Sequence, residues 1–198
     1  MRTVFVTGGI GSGKSALCRI LSDHGIPVYD SDSRTKELYD SDPELVPSLE
    51  KALGCRLTDD TGRLDRKVLA SVIFSNEKNL EILESIVHPA VLEDFLRWRD
   101  SFENADPKPP FVVMESAIVL QKPLFRGVAD QIVLVDAPVE TRLERACRRD
   151  RRSREEILER IANQSPDISM ADIVIENDST LEALAEKVRD ILIGPQAD

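Results

Sequence analysis

The apolar run Val4-Phe5-Val6 leads directly into Thr7-Gly8-Gly9-Ile10-Gly11-Ser12-Gly13-Lys14-Ser15, and a segment with Leu17, Ile20 and Leu21 on one helical stripe follows. Gly8, Gly13, Lys14 and Ser15 satisfy G-x-x-x-x-G-K-[ST], the phosphate-binding loop, in the context it requires: strand before, helix after. Each residue type has a chemical reason. Glycines let backbone N–H groups turn inward around phosphate oxygens. A lysine at position 14 carries charge to the β and γ phosphates, a hydroxyl at position 15 ligates the magnesium ion that bridges them, and the helix behind aims its positive dipole end at the same anion. The stretch predicts a nucleoside triphosphate site and a chain that begins an α/β fold on a buried parallel strand.

Four further strand signals follow. Ile26 to Tyr29 ends at Asp30, Phe111 to Met114 at Glu115, Ile132 to Val135 at Asp136, and Ile173 to Ile175 at Glu176-Asn177. The Phe111 to Met114 and Ile132 to Val135 runs are apolar throughout, as strands covered on both faces are. Between Asp32 and the breaker Pro107-Lys108-Pro109-Pro110 the periodicity is helical, with Asp65 as N-cap of a helix ending near Phe74, and a longer helix that Pro89 should kink or restart near His88. Thr141 to Arg149 and Ser153 to Gln164 read as helices, the second opened by a Ser153/Glu156 capping box; Ser179 with Glu182 would cap a last helix. The expected architecture is a three-layer α/β/α domain with a five-stranded parallel sheet. Its core would span residues 1–32 and 108–198, with a helical substrate-binding lobe at about 33–107 inserted after the second strand and an arginine-rich lid at about 142–165. All five strands end in polar or glycine residues, and in a parallel sheet those ends share the ligand-binding edge.

The 198 residues carry a net charge of −10, which argues against general nucleic-acid binding because that needs a basic surface. No apolar run is long enough to span a bilayer. The chain opens on the strand and its loop, so no leader is expected and the cytoplasm is the expected compartment; the expected assembly is a monomer or small homo-oligomer. Cys18, Cys55 and Cys147 are far apart and lack metal-ligand spacing, so they read as reduced thiols.

If the γ phosphoryl moves to an alcohol, a carboxylate must take the alcohol's proton, and Asp30 and Asp32 come soonest after the loop; either suits, although Asp32 equally suits a helix cap. Glu115 is placed to organise a magnesium-bound water or an acceptor hydroxyl. Asp136 reads as strand-to-helix punctuation. Seven arginines (142, 145, 148, 149, 151, 152 and 154) fall within thirteen residues. A charge run is commonly a solvated helix face, but this one lies where a lid closes over triphosphate, and its Arg-Arg-Asp-Arg-Arg centre would repel itself without an anion. Arg63, Arg66 and Lys67 are candidates for an anionic acceptor, and His88 for packing or ligand contact.

The run Gly8 to Ser15, then Gly25-Ile26-Pro27-Val28-Tyr29-Asp30-Ser31-Asp32, resembles the start of dephospho-CoA kinases, and the likeness continues through Gly62-Arg63-Leu64-Asp65-Arg66, Leu69, Phe74, His88-Pro89, Arg142, Arg145, Gln164, Ala171-Asp172 and Asn177. The resemblance implies transfer of the ATP γ phosphoryl to the 3′-hydroxyl of dephospho-CoA. It implies ATP on Gly9, Ile10, Gly11, Ser12, Gly13, Lys14, Ser15 and Ala16, with Asn177 near its adenine. It implies Mg2+ on Ser15, Asp32 as general base, Lys14 and Arg145 on the phosphates, and Asp30, Asp32, Arg66, His88 and Glu115 around the acceptor. One departure stands out: after Glu115 the family's Pro-Leu-Leu segment ending in Glu reads Ser116-Ala117-Ile118-Val119-Leu120-Gln121. Another small P-loop kinase, acting on a nucleoside monophosphate or a small alcohol, is the alternative enzyme. A guanine-nucleotide switch lacks its Asn-Lys-x-Asp signature here.

Overall fold

The computed structural model describes residues 1–118, 122–163 and 168–194, so Gln121 and Gln164 lie outside the described residues. The chain divides into two units, Met1–Asp30 with Ser101–Asp198, and Ser31–Asp100.

The first unit holds one parallel sheet of β1 (Thr3–Thr7), β2 (Val28–Asp30), β3 (Val112–Glu115), β4 (Gln131–Asp136) and β5 (Ile173–Glu176), in the order β2-β3-β1-β4-β5. Every pairing is parallel, so the strand ends face one edge, as the sequence predicts. β1 is central and all five of its residues are buried. Its alternation sorts the two faces. Val4 and Val6 join Val113, Val133, Val135 and Ile175 under helices α1 (Lys14–Asp23) and α9 (Leu181–Val188), which contribute Leu17, Leu21, Leu184 and Val188. Phe5 points the other way, edge-on to Phe125 of the short helix α6 (Pro123–Arg126), a turn the sequence periodicity did not reveal. A second apolar cluster joins Ile10 of the phosphate loop to Leu143 and Ala146 of α7 (Val139–Asp150) and Ile157 and Ile161 of α8 (Arg154–Ala162). The Ser153/Glu156 capping box is present. The last helix is capped by Thr180 rather than Ser179: Thr180 is the extended residue, and its hydroxyl accepts from Ala183 N at 3.3 Å.

The second unit is helical: α2 (Ser31–Ser41), α3 (Leu45–Leu53), α4 (Arg66–Phe74) and α5 (Glu77–Asp100), with α2, α3 and α4 all contacting α5. Asp65 caps α4, accepting from the backbone N–H groups of Lys67 and Val68. The expected restart at Pro89 does not occur, since α5 runs through it for 24 residues. Proline deletes one N–H donor, but Val87, Val91 and Phe95 bury the same helix on both sides of it, and tertiary packing outweighs the local loss.

Candidate active site

The loop Gly8 to Gly13 leaves the carboxyl end of the central strand and feeds α1, whose N-cap is Gly13. Its geometry requires glycine where it is most constrained. Gly13 has φ 104°, and a Cβ there would run into Asn177 Nδ2. That amide donates to Ser12 O at 2.8 Å, while Asn177 N donates to Asp136 O at 2.7 Å, so the turn after β5 holds the phosphate loop against the end of β4. Lys14 Nζ donates to the carbonyls of Gly8 at 2.7 Å and Gly9 at 3.3 Å.

Three carboxyl-edge groups converge beside α1. Ser15 Oγ donates to Glu115 Oε1 at 2.6 Å. Asp30 and Glu115 are register partners at the ends of β2 and β3, which puts the two carboxylates side by side. The Cys18 thiol, buried one turn further along α1, hydrogen-bonds Glu115 as well. Burial pushes the Glu115 carboxyl above its usual range; the Ser15 hydrogen bond and the Lys14 charge pull it down, while the Asp30 charge pushes it up. Burial, then the adjacent Glu115, raises the Cys18 thiol well above the ordinary thiol range, which makes it an inert packing group rather than a nucleophile.

Two cavities flank the loop. One of about 150 Å³ is lined by Gly11, Lys14, Ser15 and Arg149, and one of about 280 Å³ by Asn177, Ser179, Leu181 and Leu184; Gly13, Ala16 and Arg145 line both. The two adjoin at these shared residues, between the loop and the turn after β5. Arg145 stands at that junction, donating to Asn177 O at 3.0 Å and Ser179 O at 3.4 Å.

A family model described as dephospho-CoA kinase matches residues 2–183. A protein of Porphyromonas gingivalis named dephospho-CoA kinase is 42% identical over 171 residues, covering 86% of this chain and 81% of its own. The chain belongs to the dephospho-CoA kinase family. A solved Thermus thermophilus structure is similar with TM-score 0.79 and 31% identity, covering 99% of this chain and 98% of that one. The dephospho-CoA kinase from Campylobacter jejuni, at TM-score 0.70 and 22% identity over 98% and 96% of the two chains, shares the fold.

For a member of the dephospho-CoA kinase family, a phosphate-to-hydroxyl transferase, the cradle fits a polyphosphate. Thr7 Oγ1, Ser12 Oγ and Arg142 Nη2 are buried without a hydrogen-bond partner among the described residues, an unusual concentration of spare polar capacity at one loop. The oxygen set of Ser15, Glu115 and Asp30 suits a hard divalent ion that keeps most of its waters. Among the described residues, no group of three or more His, Cys, Asp or Glu side chains forms a complete metal cage.

The structure thus brings Gly9 to Ala16, Asp30, Glu115, Arg145 and Asn177 together in one unit. Asp32 is exposed in the first turn of α2, two residues along the chain from Asp30, inside the helix rather than at its cap. Arg66 opens α4, with a long 3.5 Å hydrogen bond to Lys36 O, and its charge faces Tyr39. His88 is half-buried on α5. In the arginine run, Arg148, Arg149, Arg151, Arg152 and Arg154 are exposed, as a solvated helix face has them. Arg142 is buried rather than solvated, and the self-repulsion expected of the centre is offset by carboxylates: Arg149 and Arg160 share Asp150, Arg154 pairs with Glu140, and Arg152 with Glu156. Sequence reasoning also missed the clamp role of Asn177, whose partner lies 165 positions away.

No helix among the described residues is long and apolar enough to cross a membrane.

Proposed function

We propose that this chain transfers the terminal phosphoryl group of ATP to the 3′-hydroxyl of dephospho-CoA, giving CoA and ADP, and does so in the cytoplasm with magnesium. The observation that carries this reading is the family match over residues 2–183, which takes in the phosphate loop, the helical unit and the arginine segment alike.

The roles follow from the chemistry of each group. Asp32 accepts the proton of the acceptor hydroxyl as its oxygen bonds to phosphorus, a contribution of about 10²- to 10⁴-fold. Lys14 and Arg145 neutralise charge spread over the transferring group, and inward N–H groups of Gly9 to Ala16 hold the phosphates. Asn177 holds the loop and borders the adenine. Ser15 would hold the magnesium ion, with Glu115 and Asp30 beside it, and the metal would supply charge neutralisation of the bound triphosphate. Arg66 and His88 receive the acceptor, and the arginine segment closes over the donor.

An ADP-release assay with magnesium-ATP and a panel of dephospho-CoA, AMP, CMP, shikimate and gluconate tests the proposal. Dephospho-CoA should give ADP well above buffer and the others should not. ADP release with another acceptor and none with dephospho-CoA would overturn it.

A further inference from the structure

Of the seven arginines between 142 and 154, Arg142 alone is buried, at 7% exposure. Its Nε donates to Ile10 O at 3.1 Å, and its Nη2 is fully enclosed with no hydrogen-bond partner among the described residues. The guanidinium lies against Gly9, so closely that a Cβ on Gly9 would overlap Nη2, while the Arg142 backbone similarly fills the space above Gly11. Arg142 shares a cavity of about 460 Å³ with the acidic side chains of Asp136, Glu176 and Asp178, yet none of them forms an ion pair with it. Asp136 attracts it only from longer range, and burial lowers its pKa from the usual arginine value.

A guanidinium held this way is costly, since a buried cation needs a hydrogen-bonded counter-charge and here one of its nitrogens has none. The glycine beside it and the Ile10 carbonyl fix it to the phosphate loop itself. We propose that Arg142 is a positioning residue that sets a buried positive charge behind the phosphate loop, and that its counter-charge is the polyphosphate the loop binds. The inference rests on reading Gly8 to Ser15 as a triphosphate site. Ligand binding then relieves a strain of the empty protein, and by reciprocity the same coupling tightens the ligand. The neutral adenosine moiety gains nothing from it, so the effect discriminates by phosphate charge.

The variant Arg142→Gln separates this role from simple packing. The Gln amide nitrogen stands at the same bond count from the backbone as Arg Nε, so a donor to Ile10 O is retained while the charge and the unpartnered Nη2 are removed. Thermal unfolding without ligand, and titrations with tripolyphosphate, ATP and adenosine, give the readouts. The ligand-free variant should melt at or above the wild-type temperature, its affinity for tripolyphosphate and ATP should fall about tenfold, and adenosine binding should not change. Arg142→Lys, which keeps a charge, should retain tripolyphosphate affinity within about threefold. Equal tripolyphosphate affinity in Arg142→Gln and wild type overturns the proposal, as does equal loss in the Lys and Gln variants. If Arg142→Gln does not fold, Arg142→Lys decides: retained affinity supports the proposal and lost affinity overturns it. Failure of the wild-type protein to bind tripolyphosphate or ATP would instead strike the triphosphate reading itself.

Discussion

Asn177 donates from Nδ2 to the backbone carbonyl of Ser12 at 2.8 Å, tying the turn after the last strand to the phosphate loop of the first. Asn177 is 6% exposed, so Asn177→Ala would leave the Ser12 carbonyl buried and unpaired, a loss of about 1–3 kcal/mol. A lower melting temperature and a KM for ATP raised about tenfold should accompany it, because the loop is no longer held in its binding shape. Unchanged KM in a folded Asn177→Ala protein would show that the clamp serves stability alone.

The 2.6 Å hydrogen bond between Ser15 and Glu115 makes a second prediction about magnesium. Glu115→Gln keeps the shape and an oxygen acceptor but loses the charge. The half-saturating magnesium concentration should rise about 10- to 100-fold, the usual cost of removing a group that orients a metal's ligand. A magnesium requirement identical to wild type would remove Glu115 from the metal's surroundings and leave it to the acceptor.

Asp32→Asn should bind ATP normally and turn over at least about a hundredfold more slowly, since the amide cannot take the hydroxyl proton. Wild-type turnover in that protein would transfer the role of base to Asp30 or Glu115.

Glu50 offers a test of the helical unit by pH. Its carboxylate accepts from Leu57 N at 2.7 Å and from Thr58 N and Oγ1, both at 3.0 Å, pinning the Thr58–Leu64 bridge to α3. These bonds, the Leu57 N–H first, lower its pKa below the ordinary 4.5. A depressed folded pKa means a contribution present above the unfolded value and lost as pH falls through the folded one. Denaturant unfolding of Glu50→Gln should therefore show lower stability than wild type at pH 7, with the gap closing as the solution is acidified. A gap that widens in acid would contradict this.

Much of the fold is legible in the sequence because its signals are local. Val4 to Val6 and Val133 to Val135 are runs that only a buried parallel strand uses well, whereas the equally apolar Ile173 to Ile175 forms an edge strand with Val174 exposed, and Asp65 and the Ser153/Glu156 pair cap their helices. Departures occur where a distant partner decides. Pro89 stays within a helix because α2, α3 and α4 contact α5. The burial of Arg142 depends on Gly9 and Ile10, 132 positions from it in the case of Ile10, and nothing in an arginine run distinguishes that one residue from its solvated neighbours. The Ser15–Glu115 pair lies between: both residues stand at predictable ends of elements, but their 2.6 Å contact depends on β3 pairing with β1, an order that no local pattern encodes.

The central claim is the identity of the acceptor oxygen, and phosphorus NMR of the product tests it most directly. With ATP, magnesium and dephospho-CoA, the account predicts a new phosphomonoester resonance coupled to the ribose 3′ proton, and no product from the 3′-deoxy analogue. A phosphoryl group on any other oxygen, or turnover of the 3′-deoxy analogue, would contradict it.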